Sequence, residues 1–354
     1  MSITSKDIKR IIKEELKRVL MEDYSILRDM TPGDAVAYME RELNGKTWVF
    51  WDLESIGFGG QITQYGAIAY KIDDLAGEIP QQPLSTFEAN VSLNKETIKK
   101  HIWEQDVLSR AEEVYHNEEE AYLMGDDVSD EFGLVLSHNK AKEAGRPYTV
   151  QDMIDYTHYE PTENDHDQRT ALVLFLDWIK GLGDNVLSVG HNIKTFDRKK
   201  IILEGESFDV DTRDFQQLDI FDTVNFQRQL FKRLAQHQME QGNQKMMRFF
   251  DEKEKTIKGE VKKVMAFNGK LQRMMDVYGP GEGYIQLHTA IDDTRQLIAA
   301  FFNMYREVRE MVQDPSIGQM TTGIQAKRAQ KELERKDITD PLEISQALSD
   351  YRRD

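Results

Sequence analysis

The stretch Trp48-Val49-Phe50-Trp51-Asp52-Leu53-Glu54 constrains this chain more than any other, because it ends a run that has to be buried with two carboxylates. Apolar, aromatic and free of glycine and proline, the run reads as a buried strand. Side chains of a strand alternate with period two, so Asp52 and Glu54 share one face. Burying an unpaired carboxylate is costly or moves its pKa, and a bound divalent cation removes that penalty. For an Asp-x-Glu taken alone, a strand end that reaches solvent is the plain alternative. The glycine-rich exit Ser55-Ile56-Gly57-Phe58-Gly59-Gly60 favours a ligand, since glycines let a backbone approach one closely.

Two further stretches repeat the logic. Val186-Leu187-Ser188-Val189 reads as a strand, Gly190-His191-Asn192 as its exit, and Asp197 as the start of a helix running through Ile202. Ligands of α/β sheets collect at the carboxyl ends of strands, where Asp197 falls. The alternative is a first-turn acid favoured by the helix dipole. His288 to Asp293 leads into an amphipathic helix whose apolar side is Ile291, Leu297, Ile298, Phe301 and Phe302. A lone histidine near a helix start is more often a hydrogen-bonded structural residue than a base. Jointly, four carboxylates and one imidazole in this order read as a two-metal phosphodiester-cleaving site.

Asp-x-Glu after a strand, Gly-His-Asn-x4-Asp, and His-x-Ala-x2-Asp opening a late helix resemble the DEDDh branch of the DnaQ-like 3′–5′ exonucleases. Ile62-Thr63-Gln64-Tyr65-Gly66-Ala67-Ile68 looks like that family's second strand, and Asp219-Ile220-Phe221-Asp222-Thr223 like the strand after its second motif. The likeness covers roughly residues 46–305 and is interrupted by insertions. It implies an α/β fold, an RNase H-like mixed β-sheet flanked by helices. Two departures stand out: Ser55-Ile56-Gly57 where the family commonly has Thr-Thr or Ser-Thr before the glycine, and Gln64 where a glutamate is frequent. Both bear on substrate preference rather than on ligands of a metal. Ser55, Ile56, Gly57, Gln64 and Asn192 are the substrate contacts the resemblance implies.

Hydrolysing a phosphodiester needs a nucleophilic hydroxide, in-line geometry and stabilisation of the leaving oxygen, which two Mg²⁺ or Mn²⁺ ions about 4 Å apart supply. Such hard cations prefer carboxylate and water oxygens. By the resemblance, Asp52 bridges both ions, Glu54 and Asp293 complete the site of the nucleophile-generating ion, and Asp197 helps hold the second. His288 then accepts a proton from the attacking water, a task suited to an imidazole. Asp292 is the rival to Asp293, which the family spacing favours, and His191 reads as structural.

With 39% hydrophobic and 31% charged residues among 354, the chain is long enough for a substantial core with solvated extensions. Zero cysteines exclude disulfides, thiolate catalysis and cysteine-ligated zinc, and fit a cytoplasmic setting. No apolar run approaches the ~20 residues that span a bilayer, and no signal-peptide core is seen at the N-terminus. The net charge of −17 runs against phosphate binding, but the stretch from Arg228 to Arg273 holds twelve basic residues against five acids. Arg228, Lys232 and Arg233, with Lys194 and Arg198, are the cations expected to flank a strand's backbone. Solvated helical faces are the alternative for most of this stretch.

Three parts are expected: a helical N-terminal extension over 1–43, a catalytic domain over 44–310 with an insertion at about 90–163, and a charged tail over 311–354. Residues 5–20 form a basic amphipathic helix, a candidate protein contact like the tail. Thr31-Pro32-Gly33-Asp34 reads as a break before a helix from Ala35 to Leu43. Within the insertion, Glu112 to Glu131 carries nine acids and no lysine or arginine. The function expected is 3′–5′ exonucleolytic removal of nucleoside 5′-monophosphates from single-stranded or frayed ends, DNA ahead of RNA. The alternative is a non-catalytic nucleic-acid-binding or interaction subunit of a replication or repair assembly.

Overall fold

The computed structural model describes residues 26–55, 61–75, 77, 80–92, 144–146, 165–257, 260–279 and 289–320. The helix expected over 5–20, the acidic stretch 112–131 and the chain beyond 320 lie outside the described residues, as do Ile56, Gly57 and His288.

Five strands form a mixed sheet: β1 (Lys46–Ser55), β2 (Ile62–Ile72), β3 (Ser85–Asn90), β4 (Val186–Gly190) and β5 (Asp219–Asp222), in the order β3-β2-β1-β4-β5. β1 is antiparallel to β2 and β2 to β3, whereas β4 is parallel to β1 and β5 to β4. With helices packed on both faces, this is the RNase H-like arrangement. The helices are α1 (Ile26–Asp29), α2 (Pro32–Leu43), α3 (Gln168–Gly181), α4 (Asp197–Phe208), α5 (Arg213–Gln216) and α6 (Thr223–Phe226). A wider π-type turn over Gln227–Phe231 leads into α7 (Lys232–Glu240), followed by α8 (Gln244–Met247), α9 (Leu271–Tyr278), α10 (Ala290–Val312) and α11 (Pro315–Gly318).

β1 is central because it is apolar on both faces. Trp48 and Phe50 point toward α10, where Trp48 lies 5.8 Å from Phe301 and 6.0 Å from Phe302 between ring centroids. Trp51 points the other way, 5.6 Å from Phe175 of α3 and 5.7 Å from Phe215 of α5. Each indole N–H has a partner, Trp48 donating to Leu43 O at 3.1 Å and Trp51 to Ser188 Oγ at 2.7 Å. The apolar side of α10 buries Leu297, Ile298, Phe301, Phe302, Tyr305 and Val308, each worth about 1.5–3 kcal/mol over exposure.

Three local readings change. Thr31 to Asp34 is the start of α2 rather than a break: Thr31 Oγ1 accepts the Asp34 N–H at 3.2 Å, and Pro32 occupies a first-turn position that suits its fixed φ. The basic stretch holds a two-stranded ribbon, β6 (Phe250–Ile257) and β7 (Glu260–Phe267), closed at its base by Phe250 and Phe267 with ring centroids 5.6 Å apart. Packing also continues past 310, because Asp314 caps α11 and turns Ile317 into the core.

After β3 the chain leaves the sheet at Val91 and returns at His166, which bridge in parallel. There Ser92 N–H donates to His166 O at 2.8 Å and His166 N–H to Asn90 O at 2.9 Å. The inserted segment therefore starts and ends at one sheet edge. Among the described residues, no helix is long and apolar enough to cross a membrane.

Candidate metal centre

The row of β1 side chains that faces α10 continues beyond Phe50 as Asp52 and Glu54, so the carboxylates stand where the aromatic core ends. Across the sheet, Asp52 pairs with Gly66 and Glu54 with Gln64. The pairing then skips Thr63, so that Ser55 faces Ile62. Such a bulge twists and ends a ladder.

Gly66 sets how closely α10 approaches. A Cβ there would lie 2.3 Å from the carbonyl carbon of Ala290 and 2.3 Å from the nitrogen of Ile291, so the first turn of the helix occupies the space a side chain would need. Three polar contacts fix the helix in this pose. Gln64 Oε1 accepts the Ala290 N–H at 3.1 Å, Thr294 Oγ1 donates to Gly66 O at 3.1 Å, and Thr289 Oγ1 caps the helix by accepting the Asp292 N–H at 3.3 Å. Asp293, 3% exposed, is thereby delivered to β1. One carboxylate oxygen each from Asp52, Glu54 and Asp293 lie within 4.8 Å of one another. Asp292 faces elsewhere, accepting from Thr289 Oγ1 at 2.8 Å and from Arg295 at 2.7 Å.

Asp197 arrives from β4. Its loop is anchored by buried Asp222, whose Oδ1 accepts the Asn192 N–H at 2.9 Å and whose Oδ2 accepts the Lys194 N–H at 3.2 Å. Asn192 adopts the left-handed conformation, with φ of 64°, and its carbonyl accepts the Phe196 N–H at 3.2 Å, which turns the chain into α4. Asp197 is 4% exposed, and burial pushes its carboxyl up to about 8 against the relief given by Lys200. Burial, then the charges of Asp197 and Asp293, raise Asp52 well above the ordinary carboxylate range. Carboxylates gathered in a low dielectric repel one another, and a hard divalent cation is the group that relieves this. The all-oxygen donor set fits Mg²⁺ or Mn²⁺.

The same electrostatics predict a pH-dependent stability. The folded protein keeps a proton on Asp197 up to about pH 8, whereas an ordinary Asp releases it near 3.8. Between those values the folded state binds more protons than the unfolded chain, so the metal-free protein loses stability as pH rises. Asp52, Glu204 and Asp222, raised mainly by burial, act with the same sign. Asp167, Asp292 and Asp314, lowered by their hydrogen bonds, act only below the ordinary range. His191, whose folded imidazole is pushed down to about 3, acts with the opposite sign below about pH 7, so thermal melts in EDTA are expected to shift downward from pH 7 to 8, and saturating Mn²⁺ to flatten that slope. A metal-free melt that rises over that range would contradict this account.

The remaining polar candidates divide by position. Gln64 spends its side-chain carbonyl on the end of α10. His191 Nδ1 lies 3.0 Å from Thr223 Oγ1, and burial, then the charge of Arg228, pushes the imidazole down to about 3, which makes it neutral and structural. Ser55 closes β1 beside the cluster. Arg233 is corrected: its guanidinium donates to Met30 O and Leu27 O, each at 2.9 Å, and ties α1 to α7 instead of flanking a cleft. Arg198 bonds Gln216 O, whereas Arg228 is exposed near His191 and Asp222.

No protein-family model matches the sequence, and no curated protein matches it. Among solved structures, the chain is similar to E. coli Exonuclease I in complex with a dT13 oligonucleotide, at 12% identity and a TM-score of 0.40, covering 75% of this chain and 41% of that one. The zinc ion bound form of the E. coli ExoI–ssDNA complex gives 12% identity and a TM-score of 0.37, with coverage of 77% and 42%. The chain thus spans less than half the length of these proteins, and the functional reading rests on its own carboxylates.

Proposed function

We propose that this chain is a metal-dependent 3′–5′ exonuclease that releases nucleoside 5′-monophosphates from single-stranded or frayed ends, with DNA preferred to RNA. The observation that carries the reading is the convergence of Asp52, Glu54 and Asp293 within 4.8 Å at the end of the central strand, with buried Asp197 in electrostatic reach. In this reading Asp52, Glu54 and Asp293 hold one Mg²⁺ or Mn²⁺ ion, and Asp52 with Asp197 a second. When bound, the ions supply a nucleophilic hydroxide and neutralise charge on the leaving oxygen.

The chain's own groups do the rest. An imidazole nitrogen of His288, two residues before the start of α10, accepts the proton of the attacking water. Ser55 at the end of β1 and Asn192 in the loop that leads to Asp197 contact the terminal nucleotide. Arg228, with Lys194 beside the loop, draws in the phosphate backbone. The basic stretch over 5–20 and the tail offer sites for a protein partner.

The test is a product ladder from 5′-labelled single-stranded DNA and RNA with Mg²⁺, Mn²⁺ or EDTA. Metal-dependent shortening from the 3′ end, one nucleotide at a time and faster on DNA, is expected. Internal cuts would reassign the activity as endonucleolytic. Strand binding without cleavage under any metal would favour a binding subunit.

A further inference from the structure

Lys200 and Glu204 belong to no part of the mechanism above, yet both are buried on α4, at 7% and 9% exposure. Asp197, Lys200 and Glu204 follow one another by three and then four positions, which places them on one helix face. Helical side chains lean toward the N-terminus, and Lys200 Nζ lies 5.2 Å from the ring centroid of Phe196, the residue before Asp197. Its charge acts on both Asp197 and Glu204. Glu204 is fixed from the other side: Oε1 accepts the Ile62 N–H at 3.3 Å and Gln168 Nε2 at 3.3 Å, and Oε2 accepts the Tyr65 hydroxyl at 3.2 Å. The ammonium therefore shares one face of α4 with an anchored carboxylate and with the one that faces the centre, and its charge acts on both.

We propose that Lys200 is a positioning residue that stands in for part of a second cation at Asp197, so that the protein without substrate holds one ion tightly and a second only weakly. The proposal rests on the reading of Asp52, Glu54 and Asp293 as ion ligands. Like charges in a low dielectric repel strongly, so a divalent ion at Asp197 binds less well while the ammonium is beside it. An anionic phosphodiester offsets that repulsion, and the second ion then enters with the substrate.

Calorimetric titration of Mn²⁺ into the metal-free protein, without nucleic acid, tests this. Wild type is expected to bind one ion tightly and a second about tenfold or more weaker, and Lys200→Met to tighten the second by about tenfold. Lys200→Arg keeps the charge and is expected to titrate like wild type. Glu204→Gln removes the lysine's other acidic partner, leaves the ammonium to Asp197 and weakens the second ion further. A merely structural role would weaken the ion in both the Met and Gln variants. That outcome, or equal second-ion affinity in wild type and Lys200→Met, overturns the proposal. If thermal melts show Lys200→Met unfolded, Lys200→Gln, which removes the same charge and keeps a polar end, takes its place, and second-ion affinity equal to or weaker than wild type there overturns it. If wild type binds no tight ion, or Asp52→Ala titrates like wild type, the metal-centre reading itself fails and the proposal with it.

Discussion

Asp52→Ala is expected to reduce metal-dependent hydrolysis by roughly a thousandfold or more, since a ligand shared by both ions contributes on the order of 4 kcal/mol or more to the transition state. The fold should survive. Asp52 lies where burial and two neighbouring acids oppose its charge, so its removal relieves repulsion in the metal-free state. Melting of the variant in EDTA at pH 8 is expected to match or exceed wild type, while the stabilisation by Mn²⁺ shrinks. Cleavage near the wild-type rate by a properly folded Asp52→Ala protein would sink the assignment.

The second large effect is expected far from any charge. Gly66→Ala adds one methyl group, which meets the backbone of Ala290 and Ile291 at 2.3 Å. Backbone has no rotamer with which to give way, so the first turn of α10 must move and carry Asp293 with it. Overpacking of this kind costs about 1–3 kcal/mol in stability. A displacement of about 1 Å at a reacting centre costs about a hundredfold in rate. Gly181→Ala is the matched control, because a Cβ there meets nothing within 4 Å. Thermal melts and cleavage rates of the two variants should separate widely, and Gly66→Ala cleaving at the wild-type rate would show that α10 does not set the position of Asp293.

What could be read from sequence follows from where the information lies. β1 was legible because it is apolar on both faces, and period-two alternation alone puts Asp52 and Glu54 together. α10 was legible from its apolar stripe. The same stripe does not choose between Asp292 and Asp293, since neighbours on a helix differ by only about 100°; the Thr289 cap and Arg295 make that choice by engaging Asp292. Gly66 did carry a signal, an isolated glycine within a strand, which marks close backbone approach. The duties of Gln64, Asp222 and Glu204 had none, because each is a hydrogen bond between segments distant in sequence. The β6–β7 ribbon carries no sequence signal for a different reason. Asp251-Glu252-Lys253-Glu254-Lys255 presents no apolar face, so the strand has no periodicity to detect. Arg233 looked like a surface cation and proved to be a tether.

The parallel bridge between Val91 and His166 has an architectural consequence. Both ends of the intervening stretch are clamped to one edge of the sheet, and the entropic cost of closing such a stretch grows only with the logarithm of its length, about 0.6 kcal/mol per doubling. Lengthening or exchanging what lies between those two residues therefore asks little of β1, β2 or α4. The sheet edge acts as a mounting point at which a chain can acquire, trade or shed cargo without disturbing the carboxylates two strands away.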